Sequence, residues 1–222
     1  MSGRSVLLCG ATGLVGQACL AHLLADPTFD RVAVFTRRPL GALPRAAGGV
    51  TLDERIVDFA SLATYAEWPR VDSIICALGT TMRDAGSRER FRAVDYGYVA
   101  SLAARGIEEG ATHFLLVSAI GANPRSLVFY SRVKGEAEAA IRALPWRGVT
   151  IVRPSLLQGH RPRRRRGEEL ARRMAFLVPS KYKPVTADTV AAVLVREARE
   201  ARPGVHLFET FRGHLQELPA QP

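Results

Sequence analysis

Short apolar runs alternate along the chain with stretches in which apolar residues recur every three or four positions. The runs Ser5–Cys9, Arg31–Thr36, Arg55–Asp58, Asp72–Ala77, His113–Ser118, Val149–Arg153 and Val205–Phe208 read as strands. Most have a continuous apolar centre, the pattern of strands buried on both faces of a parallel sheet. Helical spacing marks Leu14–Ala25, Ser61–Glu67, Ser87–Glu109 and Ser126–Leu144. Strand–helix–strand alternation of this kind predicts an α/β fold with a doubly wound parallel sheet. After Arg153 the rhythm changes. A loop runs through the arginine-rich stretch 159–173, and a short helix is expected at Glu168–Leu177. A strand end and a helix follow, capped by Thr186 or Asp188. The last dozen residues carry little pattern and are expected to trail over the surface.

Composition narrows the class. The 222 residues suit one domain, 1–222, in which 154–222 forms a small segment on the substrate side of the sheet. An apolar share of 47% supports a packed core rather than a disordered chain. The formal charge is +10, which can attract nucleic acid, anionic membrane or phosphorylated small molecules. Of the 31 basic residues only Lys134, Lys181 and Lys183 are lysine, so arginine enrichment runs through the whole chain and points weakly to any one partner. The three cysteines, Cys9, Cys19 and Cys76, fit neither a disulfide framework nor metal spacing, and no metal ligand set stands out. Buried thiols in a reducing cytoplasm is the expectation. No run of 18 apolar residues suggests a membrane span, and glycines interrupt the first apolar stretch too early for a secretory leader.

The first strand runs into "GATGLVG". Gly10, Gly13 and Gly16 permit a tight turn and a close backbone approach, and Thr12, Leu14 and Val15 complete a loop that opens a helix. Free N–H groups and the positive end of the helix dipole suit a pyrophosphate there. An NAD site usually sets an acid about 20 residues further on, against the ribose hydroxyl. Here Arg37 and Arg38 stand in that place, and two guanidiniums suit a 2′-phosphate. NADP(H) is therefore expected over NAD(H). Asp58 is expected near the adenine amino group, and Leu78, Gly79 and Thr80 form a small turn for a backbone pass beside the cofactor.

Ser118 ends the fifth strand, and Tyr130 and Lys134 follow four residues apart on a helix, on one face. A free tyrosine ionises near pH 10 and is a poor acid–base group at neutrality. A neighbouring ammonium lowers that value. Tyr130 can then pass a proton to or from a substrate oxygen, with Ser118 hydrogen-bonding the same oxygen and Lys134 holding the ribose. Lys134 is the first lysine of an arginine-rich chain, which singles out a compact charge.

The set "GATGLVG", "TRRP", "CALGTT", a strand-end serine, "YSRVKGEAE" and "VRPSLL" resembles the atypical short-chain dehydrogenases/reductases, in their small Tat-interacting-protein-like branch, over roughly residues 5 to 200. The resemblance implies a Rossmann fold, NADPH binding and a Ser118–Tyr130–Lys134 triad. It implies that Pro154 to Leu157 pass the nicotinamide, with Leu157 at the cofactor. It further implies that Arg165, two residues before a Gly-Glu pair, reaches a cofactor phosphate. The family's catalytic asparagine has no clear counterpart; Asp95 lies in that region without an assigned role.

The function expected is NADPH-dependent hydride transfer to or from a small carbonyl or alcohol substrate. A non-catalytic NADPH sensor on the same fold is the alternative. The arginine run lacks interleaved aromatics, so no specific nucleic-acid partner is expected. Either a monomer or a homodimer fits.

Overall fold

The computed structural model describes residues 3–41, 49–158 and 183–219. Among them, eight strands form one sheet in the order β10-β9-β6-β5-β4-β1-β2-β3. The strands are β1 (Arg4–Cys9), β2 (Phe29–Thr36), β3 (Thr51–Ile56), β4 (Ser73–Cys76), β5 (His113–Val117), β6 (Gly148–Arg153), β9 (Gly204–Phe211) and β10 (His214–Glu217). A separate parallel pair joins β7 (Leu157–Gln158) to β8 (Val185–Thr186). Every pairing in the large sheet is parallel except β9 with β10. The α/β, Rossmann-like architecture expected from the sequence is what the chain forms.

Alternate residues of each strand enter opposite cores, as the pleat requires. Val6, Leu8, Val32, Val34 and Ile75 pack under α1 (Leu14–Ala25) and the last helix, α6 (Ala187–Glu200). Leu7, Cys9, Phe35, Ile74 and Cys76 pack on the other face, under α4 (Val99–Glu108) and α5 (Phe129–Arg142). Thr186 rather than Asp188 caps α6, accepting the Thr189 N–H; Asp188 instead meets His22 at 2.7 Å. The helix read at Ser87–Glu109 is one helical run in three parts: α3 (Arg88–Arg92), a turn of π-helix (Ala93–Tyr98) and α4. Before it lies the four-residue α2 (Met82–Ala85).

Two expectations need correction. The third strand lies at Thr51–Ile56, ahead of Asp58, and is followed by a short 3₁₀ helix, Phe59–Thr64. It is an edge strand, and its sequence TLDERI, with three charged residues in a row, lacks the apolar centre that marks the inner strands. The described C-terminal residues, through 217, also do not trail. They turn at Arg212 and Gly213, both with positive φ, and return as β10 against β9. A two-residue turn of that hand matches the twist of a hairpin, and arginine is not a residue that announces it.

His113 opens β5 and is buried, with Nε2 3.0 Å from the Thr150 hydroxyl and no partner for Nδ1 among the described residues. Burial, and then the charges of His206, Arg4 and Arg202, push its pKa down to about 4. The unfolded chain gains a proton below about pH 6.5 that the fold refuses. The stability tied to this group is therefore complete above that pH and is lost towards about pH 4, at up to roughly 1.4 kcal/mol per pH unit. Urea midpoints measured across that window should fall in the wild type and fall less steeply in His113→Leu.

Candidate active site

The site forms at the carboxyl edge of β1, where the chain turns into α1. Gly10 has φ +91°, and a Cβ built on it would lie 2.5 Å from the Ala77 carbonyl oxygen at the end of β4. A Cβ on Gly16 would lie 2.0 Å from the Gly10 carbonyl oxygen, so the first turn of α1 rests on the loop backbone. Gly13 occupies the N-cap of α1 and donates its N–H to the Gly10 carbonyl at 3.0 Å. No side chain caps this helix and no acid sits in its first turn. The leading N–H groups, from Leu14, Val15 and Gly16, therefore keep the positive end of the dipole open to an anion. Thr12 is exposed beside them, its carbonyl accepting from the Gln17 side chain at 3.4 Å.

Strand β2 pairs with β1 so that Phe35 lies opposite Cys9. Arg37 and Arg38 follow at once and are exposed beside the glycine loop. The Thr36 hydroxyl donates to the Arg38 carbonyl at 2.7 Å and holds that turn. No carboxylate pairs with either guanidinium among the described residues. Asp58 lies beyond β3, where its carboxylate accepts the Ala60 N–H at 3.0 Å and the Ser61 hydroxyl at 3.1 Å. Leu78, Gly79 and Thr80 leave β4 on the opposite side of the loop, and the Thr80 N–H donates to Asp95 Oδ2 at 2.9 Å. Leu157 lies on β7 and packs against the α1 face of the core. Arg165 and the rest of the arginine run, with the helix expected at 168–177, lie outside the described residues.

Tyr130 and Lys134 stand one turn apart on α5. Tyr130 is 36% exposed and its ring packs on Phe91, centroids 5.5 Å apart. Lys134 is 6% exposed, and its Nζ lies 2.8 Å from Asp95 Oδ1. Burial pulls the lysine pKa down, but Asp95, and then Tyr130, outweigh it and hold the ammonium above its usual range. Ser118 is buried at the end of β5, and its hydroxyl donates to Glu138 Oε1 at 2.5 Å. Glu138 also accepts from Arg153, at 2.8 Å and 2.6 Å, and Arg153 reaches Glu209 on β9 at 3.4 Å. Glu138 lies eight residues beyond Tyr130 on α5, about 12 Å along the axis. The structure thus gathers Tyr130, Lys134 and Asp95, and gives Ser118 to a buried Glu–Arg network that ties β5, β6 and α5 together.

A family model described as NAD(P)H-binding matches residues 10–201. The chain belongs to this NAD(P)H-binding family. Within it, the chain has HTATIP2 and FMP52 proteins as relatives at about a third identity. The protein HTATIP2 of Rattus norvegicus is 34% identical over 195 residues, covering 87% of this chain and 79% of its own. The mitochondrial protein FMP52 of Debaryomyces hansenii is 33% identical over 210 residues, covering 88% of both. Among solved structures, the enzyme WbmG of Bordetella bronchiseptica, in complex with NAD, superposes with a TM-score of 0.69 at 16% identity, over 97% of this chain and 75% of that one. MoeE5 in complex with UDP-glucose and NAD gives 0.70 at 16% identity, over 96% and 78%. At such identities the two structures speak for the fold.

In this NAD(P)H-binding protein the glycine cradle fits a dinucleotide, because two of its three glycines stand where a methyl group would strike backbone. From the sequence, Asp95 was placed in the region of the family's catalytic asparagine and given no role; it stands inside the helical run "AVDYGYVA". Glu138 and Arg153 went unnoticed, since a charge four residues past a lysine reads as a solvated helix face. No group of three or more metal-ligating side chains occurs among the described residues, and no described helix is long and apolar enough to cross a membrane.

The cradle grades its own substitutions. Gly10→Ala and Gly16→Ala should each lower the stability of the cofactor-free protein by about 1–3 kcal/mol through overpacking. Gly13→Ala should cost clearly less, because its Cβ would stand 3.4 Å from the nearest atom. Thermal unfolding of the three variants measures the order.

Proposed function

We propose that this chain is an NADPH-dependent oxidoreductase that reduces or oxidises a small carbonyl or alcohol substrate. The observation that carries the reading is the pairing of a partly exposed Tyr130 with a buried, charge-compensated Lys134 one helical turn away, beside the Gly79–Thr80 turn. The residues that would hold the cofactor are the amide groups of Leu14 to Gly16 at the pyrophosphate, in the loop shaped by Gly10, Thr12 and Gly13, Arg37 and Arg38 at the 2′-phosphate, Asp58 at the adenine, Leu78 to Thr80 along the middle, and Lys134 at the ribose. Leu157 and Arg165 are assigned to the nicotinamide and phosphate ends. NADPH, when bound, supplies the hydride.

The protein's own part is proton management. Tyr130 donates its phenolic proton to the carbonyl oxygen of the substrate in reduction, and takes it back in oxidation. Lys134, one helical turn away on α5, places its ammonium beside that exchange. The exposed face of Tyr130 leaves room for a substrate oxygen, while Phe91 fixes the ring against rotation away from the edge. The three cysteines stay outside the chemistry: all are buried free thiols, and burial pushes Cys19 and Cys76 up to about 12. Such thiols suit a reducing compartment.

One observation favours the alternative, a non-catalytic NADPH sensor. Ser118, the expected partner of the substrate oxygen, has its hydroxyl engaged by Glu138. A panel of carbonyl substrates separates the two readings. The oxidoreductase reading expects turnover that drops at least roughly a hundredfold in Tyr130→Phe, with NADPH affinity retained. Tight NADPH binding without turnover of any carbonyl compound would favour the sensor.

The cofactor preference has its own test. NADPH should bind at least roughly tenfold more tightly than NADH, and the Arg37→Ala, Arg38→Ala double variant should erase the difference. Equal or tighter NADH binding by the unaltered protein would refute the assignment.

A further inference from the structure

Asp95 lies on the π-helical turn between α3 and α4. Such turns are rare and change which way a helical side chain points. Here the turn carries a carboxylate that is 1% exposed. Oδ2 accepts the Thr80 N–H at 2.9 Å. Oδ1 faces the Lys134 ammonium at 2.8 Å, and no other donor reaches it among the described residues. The titratable groups around that ammonium come from three elements: Asp95 from the π turn, Tyr130 from α5 itself and Cys76 from β4. Burial keeps the Cys76 thiol neutral. Glu138, one turn further along α5, is committed to Arg153 and Ser118. Asp95 is thus the one full negative charge facing Lys134 among the described residues.

A lysine taken out of water without a counter-charge sheds its proton, and its pKa can fall by roughly 3–5 units. On the reading that Lys134 serves the cofactor and Tyr130, we propose that Asp95 is a positioning residue that keeps the buried Lys134 charged and ties it to the Gly79–Thr80 turn. One carboxylate then sets two sides of the site at once, the turn after β4 and the reactive helix.

Asp95→Asn tests the proposal, because it keeps the size of the side chain and an acceptor for Thr80 while removing the charge. The chain has three lysines, so a label on the lysine ε-carbon gives three NMR signals, and Lys134→Met assigns the buried one. In the unaltered protein that signal should titrate above the free-lysine value of about 10.4, and in folded Asp95→Asn at least about two units below that value. NADPH affinity of Asp95→Asn should then be several-fold weaker near pH 9 than near pH 7, while the unaltered protein changes little and Lys134→Met is weak at both. A Lys134 signal that titrates no lower in folded Asp95→Asn than in the unaltered protein overturns the proposal. So does an affinity loss of equal size at both pH values, which is what simple structural damage produces. If Asp95→Asn does not fold, the unaltered protein still decides, since a Lys134 titrating at or below free lysine refutes the role. Failure of the unaltered protein to bind NADPH, with the lysine titrations as expected, would overturn the cofactor reading and leave the charge-holding role of Asp95 standing.

Discussion

The close approach of backbone to backbone at Gly10 is the constraint on which the rest of the site depends. β1 is the strand with β2 on one side and β4 on the other, and the turn after it must pass between their ends. Gly10 turns with a positive φ directly against the Ala77 carbonyl, and Gly16 brings α1 down onto the Gly10 carbonyl. No side chain larger than hydrogen fits at either contact. The approach holds the open N-terminus of α1 at the crevice where such sheets bind ligands. It also fixes the distance from that crevice to the turn after β4, and so to everything the turn touches.

The turn after β4 is held in its place by charge. Asp95 accepts the Thr80 N–H and faces the Lys134 ammonium, so the turn, the π segment and α5 meet at one buried carboxylate. A second buried acid, Glu138, does parallel work two strands away by gathering Ser118, Arg142 and Arg153. Removing one partner of a buried pair leaves an uncompensated charge and costs roughly 3–5 kcal/mol. The two acids differ in what they leave free. Glu138 is saturated by donors and is a strut between β5, β6 and α5. Asp95 supports a lysine whose neighbour, Tyr130, still faces solvent.

Much of this was legible in the chain. Inner strands are buried on both faces, so they need uninterrupted apolar runs, and β1, β2, β4, β5 and β6 were found within two residues of their bounds. The edge strand β3 and the closing hairpin were misread, because one face of an edge is wet and a hairpin turn built on Arg212 and Gly213 carries no strong marker. The glycine loop and the Tyr130–Lys134 spacing were legible for a similar reason: both are local, fixed by backbone geometry over a few residues.

Sequence by itself therefore determined the order of most strands and helices, the glycine turn that opens α1 and the two residues of α5 that share a face. Only the tertiary structure decided their partners. Asp95 meets Lys134 across 39 positions and Glu138 meets Ser118 across 20, distances over which no periodicity carries information. The physical reason is that a buried charge accepts whichever opposite charge or donor the packing brings within about 3 Å, and packing is settled by the whole core at once.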